Sequence, residues 1–188
     1  MKLFFTLRHL ISTKPMGLAI LIPLFISLSG CTDYAKRGFE EYEKGNYQAA
    51  IEDLKKAIDK NPNDDMAYDA LTHVYRDYKG APNNRDNAYM CANQAIEVCS
   101  KGSTFNMADH YMTLADLYRQ DGNYSEANKN FKKSLELNPD DYQTQFFYGC
   151  SLYDSGNREA GISHIKKSLK INPDYQNAKN LLNKLRKN

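Results

Sequence analysis

One short segment returns at a fixed spacing and limits what this chain can fold into. Gly45-Asn46-Tyr47-Gln48-Ala49-Ala50-Ile51 recurs as Gly122-Asn123-Tyr124-Ser125-Glu126-Ala127-Asn128, and more loosely as Gly156-Asn157-Arg158-Glu159-Ala160-Gly161-Ile162. Gly122 and Gly156 are 34 residues apart, and Gly45 and Gly122 are 77 apart, two such periods plus nine. A period of this length carried on helical patterns is the mark of stacked helix hairpins. Gly-Asn makes the turn inside each hairpin, because Gly tolerates positive φ and Asn hydrogen-bonds locally. The small residues that follow, Ala50, Ala127 and Gly161, let two helices approach closely.

These residues carry a resemblance to the tetratricopeptide repeat (TPR) family. The first repeat spans 31–64, with Tyr34, Gly38, Gly45, Tyr47, Ala50, Leu54, Ala57 and Pro62 at the pattern positions. The third spans 108–141, with Tyr111, Leu114, Tyr118, Gly122, Tyr124, Ala127, Phe131 and Pro139. The fourth, 142–175, keeps Tyr148, Gly149, Gly156, Ile165 and Pro173, but has Arg158 and Gly161 where the family prefers an aromatic and Ala. The second, 65–102, matches least well: it keeps Tyr68, Leu71, Tyr75, Ala88, Ala92 and Ala95 but has no closing Pro. The resemblance implies an all-α, right-handed solenoid of four hairpins. Residues 176–188 follow as a capping helix, with Ala178, Leu181, Leu182 and Leu185 on one face. Terminal repeats need such a polar-backed cap. The basic residues behind it, Lys179, Lys184, Arg186 and Lys187, read as its solvated side.

Residues 1–30 read as an export signal rather than as part of the fold. Lys2, Arg8 and Lys14 form a positive start, and 16–28 is uncharged and mostly apolar, shorter than the roughly 17–25 residues that span a bilayer as a helix. Leu28-Ser29-Gly30-Cys31 resembles the lipobox of a bacterial lipoprotein. That resemblance implies lipidation of Cys31 and cleavage before it. Thr32 in place of an Asp directly after the cysteine implies the outer membrane of the envelope. Stable anchoring takes more than one acyl chain, each contributing about 0.8 kcal/mol per buried methylene. Helical periodicity resumes by Tyr34, so the tether is short and the first hairpin is expected against the membrane surface.

Charge excludes one class of partner. Setting the three leader cations apart from the 25 basic residues leaves 22 against 23 acidic ones. A near-neutral mature chain lacks the concentrated basic face that nucleic acid demands.

The pattern predicts helices near 33–44 and 47–60, then near 65–78 and 85–98. The turn at 79–84 and the stretch at 103–107 supply the nine extra residues. Insertions in repeat proteins map to loops on one face, often the binding face; tolerated loop growth explains them equally well.

No HExxH, GxGxxG, P-loop or GxSxG pattern is present, so no catalytic site, metal site or cofactor is expected. His73, His110 and His164 fall in three different hairpins, without a second His or Cys a helical turn away. Asp109 and His110, adjacent on a helix, point to different faces. Cys91 and Cys99 lie eight residues apart, about 12 Å within one helix, too far to bridge. Cys99 could pair only if the helix ended before it; otherwise these thiols and Cys150 are small buried groups.

In TPR proteins the first helix of each repeat lines a concave groove that binds protein or peptide segments. The resemblance places Ala35, Phe39 and Tyr42 there from the first repeat, and Met66, Asp69, His73 and Arg76 from the second. The third contributes Asp109, Met112, Asp116 and Arg119, and the fourth Gln143, Phe146, Cys150 and Tyr153. Arg119 and Tyr153 are expected to reach solvent, whereas Phe39 and Phe146 could instead pack as core. The Lys, Asn and Arg set that clamps a chaperone's terminal carboxylate is absent. The implied function is that of a non-enzymatic envelope adaptor, in pilus biogenesis, outer-membrane protein assembly or cell-wall hydrolase scaffolding. The alternative is a small-ligand or glycan binder that stacks sugars on Phe39, Tyr42, Phe146 and Tyr153.

Overall fold

The computed structural model describes residues 33–80, 83–102 and 107–186. The expected signal segment, Cys31 with its lipid, and parts of both insertions lie outside these residues. Among the described residues there are nine helices and no strand. They are α1 (33–43), α2 (Tyr47–Lys60), α3 (Asp65–Asp77), α4 (Asn84–Gly102), α5 (Met107–Gln120), α6 (Tyr124–Leu137), α7 (Tyr142–Asp154), α8 (Arg158–Ile171) and α9 (Gln176–Leu185). No described helix is long and apolar enough to cross a membrane.

The turn inside each regular hairpin is built the same way. Gly45, Gly122 and Gly156 have φ of 79°, 74° and 96°. The glycine N–H donates to the carbonyl three residues back (Tyr42, Arg119, Tyr153), and the following Asn N–H donates to the carbonyl five back (Glu41, Tyr118, Leu152). This pair of bonds satisfies the last carbonyls of the first helix, and the left-handed position suits Gly because it has no Cβ to clash.

The ends of the second helices are set by Asn-Pro. Asn61, Asn138 and Asn172 cap α2, α6 and α8, and Pro62, Pro139 and Pro173 follow. A proline cannot continue a helix. After the first two of these stops the next helix is opened by an Asp: Asp64 accepts from the N–H of Ala67 at 3.0 Å, and Asp141 from that of Thr144 at 2.9 Å. Hairpin two has no such stop after α4, which therefore runs 19 residues, to Gly102, beyond the 85–98 expected. The described part of this connection is thus helix up to Gly102, and helix again from Met107. Cys91 and Cys99 both lie inside α4, and neither they nor Cys150 form a disulfide.

Each helix packs on its sequence neighbour, and in addition α3 touches α5 and α5 touches α7. The second helices α4, α6 and α8 make no comparable contact in series among the described residues. First helices close together with second helices fanned apart give a stack that is concave along α1, α3, α5 and α7. The core follows the stack. Leu54, Leu71, Val74 and Leu117 fill hairpins one to three, Phe131 and Tyr148 the next junction, and Phe146, Ile165 and Ala178 the last. Burial of these side chains contributes roughly 1.5–3 kcal/mol each for the larger ones.

Candidate groove and a buried polar junction

Exposure sorts the groove residues into two kinds. Phe39 on α1 and Met66 on α3 are 50% and 55% exposed, unusual for large apolar side chains. Both line one apolar hollow of about 290 Å³, together with Ala35, Ala70, Asp69 and His73. Phe39 is therefore surface rather than core. Phe146, by contrast, is 8% exposed; it packs edge-on against Tyr175 at 5.2 Å and belongs to the core under α9. Of the two aromatics at the far end, Phe146 is thus withdrawn from the groove, while Phe39 remains in it.

The intervening positions are largely committed to one another. The Tyr42 hydroxyl donates to Asp77 at 2.6 Å, and burial with this bond pushes its pKa up to about 12. Arg76 donates to the same carboxylate at 2.8 Å. Asp116 is buried and accepts from Arg119 at 2.7 Å and from Gln120 at 2.7 Å. Arg119 also lies over the Phe147 ring, at 5.6 Å, which leaves its side chain 22% exposed rather than reaching freely into solvent. Met112 is half-buried against the Phe131 cluster. Tyr153 lines a second hollow of about 300 Å³ with Arg119, Cys150, Asp154, Leu181 and Lys184, at the α7–α9 end. The four aromatics proposed for sugar stacking do not converge: Phe39 and Tyr153 line separate hollows, and Phe146 is core.

Two of the three histidines, His73 and His110, meet in space, while His164 stays apart, 2.7 Å from Gln145. His73 Nε2 lies 3.4 Å from Asp69 Oδ2, and His110 Nδ1, arriving from α5, lies 3.4 Å from Asp69 Oδ1. The other ring nitrogen of His110 is 3.0 Å from Asp65 Oδ2. Asp109 is exposed while its neighbour His110 is 1% exposed, as their adjacency on a helix requires. Burial opposes the Asp69 charge, but hydrogen bonding to His110 and His73 outweighs it and holds the carboxyl well below the usual range. Burial likewise pulls the His110 pKa down, and hydrogen bonding to Asp69 and Asp65 overrides it, so the net shift is upward.

Cys99, from the extra turn of α4, completes this junction. Ligand atoms of Asp65, Cys99 and His110 all lie within 4.8 Å of one another, the one such group of potential metal ligands among the described residues. The spacing of these residues in sequence gives no sign of it, because three helices bring them together.

Comparison with known proteins agrees with this architecture. Family models described as "TPR repeat" and, twice, "Tetratricopeptide repeat" match residues 38–76, 110–141 and 142–175, together more than half of the chain. No curated protein matches it. Among solved structures, a chain of the APC/C hetero-tetramer Cut9–Hcn1 is similar, with a TM-score of 0.72 and 20% identity over 81% of this chain. This chain spans only 29% of that one. MamA from Desulfovibrio magneticus RS-1 is similar at a TM-score of 0.62 and 16% identity, covering 77% of each chain. MamA AMB-1 gives 0.61 and 21%, over 77% of this chain and 80% of that one. At such identities the likeness concerns the fold.

Proposed function

The chain belongs to the tetratricopeptide repeat family, and from that premise we propose that it is a non-enzymatic adaptor of the bacterial cell envelope, lipid-anchored through Cys31 and binding a protein or peptide segment. The observation that carries the binding reading is the hollow at the α1–α3 end. Phe39 and Met66 stand half-exposed in it, on the concave side of the stack. Large apolar groups held at the surface of a groove are what a partner's side chains cover. Cut9 stands in a hetero-tetramer with Hcn1, an assembly role of the same general kind. The envelope placement rests on the lipobox-like Leu28-Ser29-Gly30-Cys31 and on the apolar run before it. Envelope assembly is the process this combination suits, with pilus biogenesis, outer-membrane protein assembly and cell-wall hydrolase scaffolding as its candidate machines.

Two experiments test the two halves. Crosslinking in the native cell, followed by mass spectrometry, identifies the partner. Phe39→Ala with Met66→Ala should then weaken its capture at least tenfold, about 1.4 kcal/mol, with helix content unchanged. Full capture by that variant moves the site off the groove. Separately, Cys31→Ser should abolish lipid labelling and shift the protein out of the membrane fraction; unchanged processing and fractionation would rule out the anchor.

A further inference from the structure

Superposing the repeats on their own sequence shows how irregular the junction between hairpins two and three is. His110 occupies a buried position that hairpins two and four and the cap fill with Ala67, Thr144 and Ala178, and that hairpin one gives to the exposed Asp33. Asp69 stands where the others have Ala35, Met112 and Phe146. Counted from the small residue early in each second helix (Ala50, Ala88, Ala127, Gly161), Cys99 stands where the others have the capping Asn61, Asn138 and Asn172. Three departures from the repeat thus fall at one place. Three side chains that can ligate a metal converge there from three helices.

We propose that Asp65, Cys99 and His110 bind a zinc ion, with Asp69 orienting the imidazole from its far side. In a tetrahedral zinc site with bonds of about 2.0–2.3 Å, ligand atoms lie about 3.3–3.6 Å apart. Nε2 of His110 and Oδ2 of Asp65, at 3.0 Å, need only a small separation to admit the ion. The ion takes the place of the proton that joins them, and metal binding releases protons from such ligands. His110 Nδ1 faces Asp69, the carboxylate–histidine pairing that fixes the tautomer of a metal-bound imidazole. One thiolate and the Asp65 carboxylate neutralise the doubly charged ion. A mixed sulfur, nitrogen and oxygen set of this kind suits zinc rather than magnesium or calcium. Asp65 keeps 17% of its side chain exposed, so a water molecule can complete the coordination from solvent. The ion would tie the start of α3, the end of α4 and the start of α5 across the one connection that has no Asn-Pro stop.

Cobalt(II) reports the site directly, because a bound thiolate gives a charge-transfer band and a tetrahedral site gives strong visible absorption. The full chain carrying Cys31→Ser, in detergent, has Cys91, Cys99 and Cys150 as its only thiols. It should take up one equivalent of cobalt with both signals, and zinc should displace it and raise Tm. Cys99→Ala and His110→Gln should abolish the charge-transfer band or weaken cobalt binding at least tenfold. Cys91→Ala and Cys150→Ala should leave it intact. Asp65→Asn, at the partly exposed ligand, serves as the variant least able to disturb folding and should also weaken binding at least tenfold. Absence of the band in the parent protein overturns the proposal. So does its survival in Cys99→Ala, or unchanged affinity in Asp65→Asn.

Discussion

Gly149 of α7 and Gly161 of α8 meet backbone to backbone: a Cβ on Gly161 would lie 2.6 Å from the Gly149 carbonyl oxygen, and one on Gly149 would lie 2.7 Å from that of Gly161. The two glycines set the closeness of hairpin four. This accounts for the departure at Gly161 from the family's preference for Ala. Gly161→Ala gains up to about 1 kcal/mol in helix propensity. It also forces a methyl against backbone that cannot rotate away, and overpacking of this kind costs about 1–3 kcal/mol. The clash should win, with net destabilisation of about 1 kcal/mol and a lower urea midpoint. A raised midpoint would show that α7 and α8 separate freely.

The fold was legible because its determinants are local. The Gly-Asn turns, the Asn-Pro stops and the 34-residue spacing each act within a few residues or repeat in register, so sequence alone yields the hairpins. The end of α4 was misplaced because a missing stop leaves no positive signal; the helix simply continues past Cys99. The groove was legible only as positions. Which side chains stay exposed depends on their neighbours: Phe39 and Phe146 occupy groove positions, yet Tyr175 and α9 cover only the second. The cluster of Asp65, Cys99 and His110 was invisible for the same reason, since its members meet only through packing between hairpins.

Hairpin one should show an acid-sensitive clasp. Arg37 on α1 donates to Asp53 on α2 through Nε at 2.6 Å, and Lys56 stands 3.6 Å away. Hydrogen bonding from Arg37, against some cost of burial, holds the Asp53 carboxyl below its usual range. Its stabilising effect is therefore present above the ordinary carboxylate pKa of about 3.9 and is lost as pH falls through the lower folded value. Asp53→Asn should be less stable than the parent at pH 7, and the difference should close as pH approaches 2. Arg37 is half-exposed, so added salt should narrow the gap at pH 7. A gap that is constant across pH would assign the effect to packing alone.

The thiols of Cys91 and Cys150 should be slow to alkylate. Burial pushes both up to about 11. At pH 8 only about one thiol in a thousand would then be thiolate, the reactive form, against roughly a quarter for an ordinary cysteine at pKa 8.5. Cys150 lines the α7–α9 hollow and should react faster than the buried Cys91. Site-resolved mass spectrometry should show the Cys150 rate rising about tenfold per pH unit from 8 to 10. A plateau below pH 9 would contradict the upward shift.

The last helix should hold the last hairpin together. Ala178 of α9 is fully buried against Phe146 and Ile165, with Tyr175, Leu181 and Leu182 around it. Tyr175 also sits edge-on to Tyr142 at 4.9 Å, fastening the start of α7. In a stacked array each hairpin depends on its neighbours, and a terminal hairpin has only one unless a cap supplies the second. Deleting 175–188 would uncover Phe146 and Ile165, whose burial is worth roughly 1.5–3 kcal/mol each. Hydrogen exchange across 142–171 should then speed up at least tenfold, and solubility should fall. Protection in hairpins two and three, farther along the stack, should change much less. Exchange that accelerates equally from 65 to 171 would mean the array unfolds as one unit. Exchange unchanged across 142–171 would mean that α9 merely rests on a hairpin already stable without it.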